Sequence, residues 1–199
     1  MSTPAPIVII SGTPGAGKSS VAAALLGRFA RGLHLPIDDL RDRVVVGMAH
    51  PVPEWTPETA RQFRLARQAA ALTAELYAAE GFAVAIDDVI APAEARDLLQ
   101  QPLAHFPVHR VLLRPSLAAT LARNTARTNK PFDTGVLNAT IRRLYDSTDP
   151  AEYAAYGWQI VDSSALTVEQ TVDTILEGIL LKTPSPQPPP LKGEGAIDP

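Results

Sequence analysis

The sequence predicts an α/β fold in which helices cover both faces of a five-stranded parallel sheet. Short apolar runs alternate with longer helical patterns along the chain, which is typical of βα units. Runs such as residues 7–10 and 83–86 are apolar throughout, as strands buried on both faces tend to be. The segment Gly-Thr-Pro-Gly-Ala-Gly-Lys-Ser at 12–19 joins the first run to the first helical pattern and matches G-x-x-x-x-G-K-[ST].

The first half of the chain contains three predicted strands. Residues 6–11 form the first strand, and an alanine-rich helix follows over 18–31, with Gly32 as its C-cap. A strand over 33–37 leads to a helical turn within 39–47, and 47–55 is a proline-containing loop. Thr56-Pro57-Glu58 starts a helix that runs to residue 80. We expect its buried stripe to consist of Leu65, Ala69, Leu72 and Leu76. Residues 82–87 form the third strand.

The second half repeats the alternation twice. A helix over 92–100 precedes a strand over 108–113, and Pro115 opens a helix that carries Arg123 and Arg127. After the polar stretch 128–134, a helix covers 136–146 and the last strand covers 158–161. Thr167 and Gln170 resemble a capping box at the start of the final helix.

Length and composition predict one domain over residues 1–182 and a disordered tail over the proline-rich residues 183–199. The net charge of −3 argues against nucleic acid as the main ligand. The chain contains no cysteine, which fits a reducing cytoplasm and excludes disulfides and thiolate metal sites. Neither a signal peptide nor a membrane span is expected, so we predict a cytoplasmic protein.

The motif at 12–19 is a P-loop, whose backbone N–H groups surround phosphate oxygens at the start of a helix. Lys18 would reach the β- and γ-phosphates of a nucleoside triphosphate, and the Ser19 hydroxyl would ligate Mg²⁺. We therefore predict a nucleotide-binding segment with these members: Gly12, Thr13, Pro14, Gly15, Ala16, Gly17, Lys18, Ser19 and Ser20.

Two pairs of acids end predicted strands, at the sheet edge where ligands gather. Asp87 and Asp88 follow the third strand, and Asp87 is the first choice for the metal-side carboxylate. Alternatively, both acids begin a solvated loop. Asp38 and Asp39 follow the second strand, where Asp38 could take the proton of an acceptor hydroxyl. The same Asp38 is also a good helix N-cap, and the two interpretations are compatible.

Arg123 and Arg127 lie four residues apart on one predicted helix face. Beside a P-loop, two such guanidinium groups could neutralise charge on a departing γ-phosphoryl group. A solvated helix face is the alternative. We place a small lid at about residues 123–135, beginning with these arginines.

The chain resembles the small P-loop kinases, a group that includes shikimate kinase, gluconate kinase and chloramphenicol phosphotransferase. The resemblance rests on the segments at 9–19, 37–40, 85–89 and 161–164 together with the two arginines, and it covers residues 6–181. It implies a sheet of order 2-3-1-4-5, ATP and Mg²⁺ as the donor, and a lid over the phosphates. It also implies that Asp38 activates the acceptor and that the loop after Asp162 wraps the adenine.

The predicted function is therefore an ATP- and Mg²⁺-dependent transfer of the γ-phosphoryl group to a hydroxyl of a small molecule. One alternative is a nucleotide-binding regulatory ATPase, although its usual hydrolytic glutamate is replaced here by Asp88. A toxin-like kinase acting on a nucleotide sugar is a second alternative, and a polynucleotide 5′-kinase is a third that the acidic charge disfavours. The region 44–64 departs from the antibiotic-modifying kinases, so the sequence does not identify the acceptor.

Overall fold

A computed structural model describes residues 5–126 and 137–182 of the chain. Five parallel strands form one sheet in the order β2-β3-β1-β4-β5, which confirms the predicted order. The strands are β1 (Ile7–Ser11), β2 (Gly32–Pro36), β3 (Ala83–Asp88), β4 (Val108–Leu113) and β5 (Gln159–Val161). The predicted tail 183–199 and most of the predicted lid lie outside the described residues.

The helices are α1 (Lys18–Leu26), α2 (Ile37–Arg41), α3 (Pro57–Ala79), α4 (Pro92–Ala95), α5 (Leu117–Thr125), α6 (Asn138–Ser147), α7 (Pro150–Ala155) and α8 (Val168–Lys182). The helix predicted over 92–100 is a single α turn that continues as a π-helix over Arg96–Gln100. The sequence pattern did not predict α7, although Asp149 caps it and Pro150 occupies its first position.

Alternation along the strands creates two cores, one on each face of the sheet. Ile7, Ile9, Val84 and Ile86 point to the face covered by α3 and the π-helix, where Tyr153 of α7 also packs. The intervening residues, including Val8, Ile10 and Ala85, point to the face covered by α1 and α8. The structure therefore has the predicted three layers, and it brings the carboxyl ends of β1, β2 and β3 together at one edge.

Helix α1 ends at Leu26 rather than at the predicted residue 31. Gly27 occupies its C-cap, and glycine is a poor helix former because it loses the most backbone freedom on folding. Residues 27–31 then form the turn that carries the chain to β2. Two predicted helix starts are confirmed: Thr56 and Thr59 form a capping box, and Thr167 and Gln170 bond each other's backbone N–H. The helix predicted to open at Pro115 begins at Leu117, with Ser116 as its N-cap.

The predicted buried stripe of α3 is wrong. Leu65, Leu72 and Leu76 are 48%, 63% and 69% exposed, and Ala69 is also exposed. The buried residues of α3 are Thr59, Gln62, Phe63, Ala66, Arg67, Ala70, Ala71, Ala74 and Ala78. Alanines line most of this buried side, and small side chains let a helix approach its neighbours closely. Because both sides of α3 are apolar, periodicity alone could not distinguish the buried side.

Candidate nucleotide and acceptor site

The P-loop joins β1 to α1 in a conformation that requires glycine. Gly15 has φ +86°, and a Cβ atom there would lie 2.6 Å from the Thr120 carbonyl oxygen of α5. Gly17 has φ +95° and caps α1, so it turns the chain into the helix through a left-handed conformation. The loop is thus fixed against α5, and its backbone leads directly into the positive end of the α1 dipole.

The predicted nucleotide-binding residues all lie in this loop or in the first turn of α1. Thr13 and Ala16 are buried, whereas Ser19 and Ser20 are exposed. The Lys18 ammonium donates hydrogen bonds to the carbonyl oxygens of Gly12 at 2.9 Å and Thr13 at 3.3 Å. A cation is therefore held directly over the loop that would receive phosphates.

Asp87 lies beside this cation because of its position in β3. Residues 85 and 87 point to the α1 side of the sheet, and Asp88 points to the α3 side. Burial raises the pKa of the Asp87 carboxyl, but a hydrogen bond from His34 and the charge of Lys18 outweigh that effect. A hydrogen bond with Ser19 acts in the same direction, and the net pKa is lowered from its ordinary value. Asp87 is therefore an ionised carboxylate within hydrogen-bonding reach of Ser19.

The donor set fits Mg²⁺ as nucleotide-dependent enzymes bind it. Mg²⁺ is usually held by one or two carboxylates, phosphate oxygens and waters rather than by a cage of protein ligands. The hydroxyl of Ser19 and the ionised carboxylate of Asp87 supply such a partial set. Within residues 5–126 and 137–182, no group of three or more histidine, aspartate or glutamate side chains is placed to hold a metal by itself.

Asp88 takes a structural position instead of a metal-side one. Its carboxylate accepts a hydrogen bond of 2.6 Å from Nε of Arg67, and both side chains are 3% exposed. The same guanidinium group donates to Glu94 at 2.5 Å and to the Val89 carbonyl oxygen at 3.3 Å. Burial raises the pKa of Asp88, and the charge of Arg67 opposes the shift. This buried pair links α3 to the end of β3.

Asp38 lies in the first turn of α2, directly after β2, and its side chain is 65% exposed. Arg41 approaches it at 3.7 Å and is itself almost fully buried. The Arg41 guanidinium group stacks on the Phe63 ring at 3.8 Å, and the Trp55 ring stacks on the same Phe63 at 5.0 Å. Because β2 and β3 are neighbours, Asp38 stands at the same sheet edge as Asp87.

The loop between α2 and α3 folds back onto α3. Gln62 accepts a hydrogen bond from the Ala49 N–H at 2.9 Å and donates to the Gly47 carbonyl oxygen at 2.8 Å. Arg41 donates to the Ala49 carbonyl oxygen at 2.6 Å. A cavity of about 550 Å³ separates the loop from α6 and is lined by Val52, Pro53, Ala139, Thr140 and Arg143. Its volume falls within the usual range for small-molecule sites.

Arg123 contacts the loop after β5 rather than standing alone on a solvated face. Its guanidinium group donates to the Ser163 carbonyl oxygen at 2.6 Å and to the Ser163 hydroxyl at 3.3 Å. Asp162 next to it accepts hydrogen bonds from the side chain and the backbone of Ser164, and these bonds lower its pKa. The structure thus brings two predicted site residues, Arg123 and Asp162, close together. Arg127 lies outside the described residues.

Two residues at this edge were not predicted. His34 is not among the predicted site residues, yet its Nε2 lies 2.7 Å from Asp87 Oδ2. Arg67 was not considered, although it neutralises buried Asp88. Strand parity contains the signal for His34, because residue 34 pairs with Ala85 and shares its face of the sheet. Nothing in the helical pattern of α3 distinguishes Arg67 from the exposed Arg64 beside it.

Comparison with known proteins agrees with this geometry. A protein-family model described as an AAA domain matches residues 7–150, which is more than half of the chain. The chain belongs to this AAA-domain family. Among curated proteins, no sequence matches the AAA-domain chain significantly.

Solved structures show which fold this AAA-domain protein has. Shikimate kinase from Acinetobacter baumannii is 21% identical with a TM-score of 0.63, and the match covers 91% of this chain and 96% of that one. A gluconokinase from Sinorhizobium meliloti 1021 is 20% identical with a TM-score of 0.60, and the match covers 91% of this chain and 94% of the gluconokinase. The Deinococcus radiodurans tunicamycin resistance protein is 18% identical with a TM-score of 0.56, and the match covers 88% of this chain and 95% of that protein.

These neighbours and the sheet order show that the AAA-domain chain has the fold of the small P-loop kinases, as the resemblance implied. Among the helices that the structure describes, none is long and apolar enough to cross a membrane.

Proposed function

We propose that this protein is a kinase that transfers the γ-phosphoryl group of ATP to a hydroxyl of a small molecule. One observation carries the proposal: the P-loop, the ionised Asp87 and the exposed Asp38 meet at the carboxyl edge of a kinase-type sheet. Phosphoryl transfer demands little covalent chemistry of a protein, and it depends on positioning and on stabilising negative charge. The P-loop, Asp87 and Asp38 together supply the positioning and the charge stabilisation.

The donor half of the site consists of Lys18, Ser19 and Asp87. The N–H groups of the P-loop bind the phosphates, and Lys18 leaves its carbonyl partners to pair with the β- and γ-phosphate oxygens. Ser19 and Asp87 would hold Mg²⁺, which supplies neutralisation of the charge that develops on the phosphate oxygens. His34 fixes the Asp87 carboxylate through one oxygen, so the orientation of the other oxygen is set before nucleotide binds.

The acceptor half contains Asp38. An exposed carboxylate at the strand end can accept the hydroxyl proton as the acceptor oxygen attacks the γ-phosphorus. The O–H bond breaks as the new P–O bond forms, and the electrons of the broken γ-phosphate bond leave with ADP. Arg41 limits the movement of Asp38 without burying it. We assign Asp38 the role of base or orienting group in this step.

Three further features support a small acceptor and an adenine nucleotide. The loop after α2 is held on α3 by Gln62, and the cavity between this loop and α6 has room for a small molecule. At the other end, Arg123 fixes the loop that begins at Asp162, where we place the adenine. We propose that Arg127, which follows Arg123 by four residues in the sequence, contacts the transferred phosphoryl group when the lid closes.

The test is a screen of ATP consumption against a panel of alcohols, sugars, nucleosides, nucleotide sugars and antibiotics. We expect at least one acceptor to raise ADP formation well above the acceptor-free rate and to yield a phosphorylated product. Lys18→Ala serves as the blank. ATP hydrolysis that no acceptor raises would contradict the proposal and favour a regulatory ATPase, and phosphorylation confined to nucleotide sugars would favour the toxin-like kinase.

A further inference from the structure

Helix α3 carries an apolar stripe on the side that faces solvent. We define the α3 stripe as Leu65, Ala69, Leu72 and Leu76, whose leucines are 48%, 63% and 69% exposed in that order. Single exposed leucines are common on protein surfaces, but a continuous row of them marks an interaction surface. The spacing of the row is four, three and four residues, which is the spacing of a helix–helix seam.

The stripe has no role in the core or in the proposed site. Phe63 contacts Arg41, and Arg67 contacts Asp88. Both side chains are buried and lie on the opposite side of α3 from the stripe. The stripe leucines belong to neither core cluster, so truncating one of them removes no fully buried side chain. Among residues 5–126 and 137–182, the stripe leucines belong to neither core, so their exposed side is available to another helix.

The charges beside the stripe favour an identical helix in the opposite direction. Within residues 61–80, the exposed cations Arg61 and Arg64 lie at the amino end, and the anions Glu75 and Glu80 lie at the carboxyl end. Within the same chain, Arg61 pairs with Glu58 at 2.9 Å, and Glu75 lies 3.9 Å from His105. Two antiparallel copies would place the basic end of each helix beside the acidic end of the other, and their helix dipoles would be opposed.

The stripe is also self-complementary in that arrangement. When Leu65 faces Leu76 of the second copy, Ala69 faces Leu72, and the two-fold axis passes between residues 70 and 71. Each large leucine at the centre thus meets a small alanine, as in close-packed helix pairs. A parallel pair would instead place Ala69 against Ala69 and leave a gap in the middle of the seam.

We propose that two copies of this chain associate through an antiparallel pairing of their α3 stripes. The stripe spans 12 residues, with about 16 Å of helix between its ends, so the contact lies at the small end of specific interfaces. We therefore expect a reversible dimer with a micromolar dissociation constant, and not a permanent dimer.

Sedimentation equilibrium of the full chain between about 1 μM and about 200 μM tests the proposal. Wild type should shift from monomer to dimer across this range, and Leu72→Glu should raise the dissociation constant by at least ~30-fold. Leu180→Glu is the matched control, because Leu180 on α8 is 73% exposed and receives the same change. A wild-type chain that stays monomeric at about 200 μM, or a control that weakens the dimer equally, overturns the proposal.

The absence of cysteine permits a second test that fixes the direction of the pair. Ala69→Cys and Leu72→Cys are made separately, and each is oxidised alone and as a mixture. The antiparallel arrangement predicts that the mixed disulfide between the two variants forms fastest. Faster formation of the Ala69→Cys homodimer would show a parallel pair and overturn the arrangement. Circular dichroism confirms that both variants remain folded.

Discussion

Replacing Arg67 with methionine should destabilise the protein far more than a typical single substitution. Methionine has a similar length and retains contact with Phe63, but it removes the cation that neutralises Asp88. Both partners are 3% exposed, so water cannot compensate for the loss. Removing one member of such a buried pair costs about 3–5 kcal/mol because the remaining charge is left buried and alone. The hydrogen bond to half-exposed Glu94 adds at most about 1 kcal/mol.

Urea unfolding at neutral pH measures this loss as a change in the free energy of unfolding. For a domain of this size the midpoint of thermal unfolding should fall by roughly 10 °C. The deficit should also depend on pH. The pKa of Asp88 is raised in the folded state, so folding favours its protonated form, and stability is lost as pH rises through the folded pKa. Acidification towards the ordinary pKa of an aspartate should therefore recover part of the stability of Arg67→Met.

Arg61→Met is the matched control, because Arg61 lies on the same helix and its ion pair with Glu58 is exposed. It should change the free energy of unfolding little. The double variant Arg67→Met/Asp88→Leu should recover much of the loss, since no unpaired charge remains. A loss below about 1 kcal/mol for Arg67→Met, or a double variant as unstable as the sum of its singles, would refute the assignment of a buried pair.

Three further predictions concern the site. Asp38→Asn should slow phosphoryl transfer by about 10²–10⁴-fold while calorimetry shows unchanged nucleotide affinity; an unchanged rate with the true acceptor excludes the base role. His34→Ala should raise the Mg²⁺ concentration for half-maximal turnover by about tenfold or more, because Asp87 loses its orienting partner. His34→Gln should need less Mg²⁺ than His34→Ala, because an amide can still donate a hydrogen bond to Asp87. Equal Mg²⁺ titrations for all three proteins would contradict this. Gly15→Ala should weaken nucleotide binding and stability more than Gly47→Ala does. Gly47 has a similar φ of +78°, but a Cβ atom there would meet open space. Equal effects of the two substitutions would show that the contact with α5 is unimportant.

The sheet and the edge where the candidate site lies could be predicted because the signals are local. Apolar runs define the strands, and the P-loop motif sets the first βα turn, so the order 2-3-1-4-5 follows from the kinase resemblance. The preference for Asp87 rested on its position at the end of an apolar run. The two acids differ in position because strand side chains alternate between the faces of the sheet, which directs Asp87 to the α1 side and Asp88 to the α3 side.

The contacts that orient these acids depend on tertiary packing and could not be predicted. His34 reaches Asp87 from a neighbouring strand, and Arg67 reaches Asp88 across the interface between α3 and the sheet. The buried side of α3 was assigned wrongly because leucines outweigh alanines in a periodicity argument. In the folded protein the alanines pack inward, and the leucines remain as the α3 stripe.

The most direct test of the central proposal is phosphoryl transfer itself. Wild-type chain, ATP, Mg²⁺ and the best acceptor from the panel are incubated, and ADP and phosphorylated acceptor are quantified together. We predict equal amounts of the two products for wild type and neither for Lys18→Ala, whose P-loop has lost its cation. ADP formation without phosphorylated acceptor, or full transfer by Lys18→Ala, would contradict it.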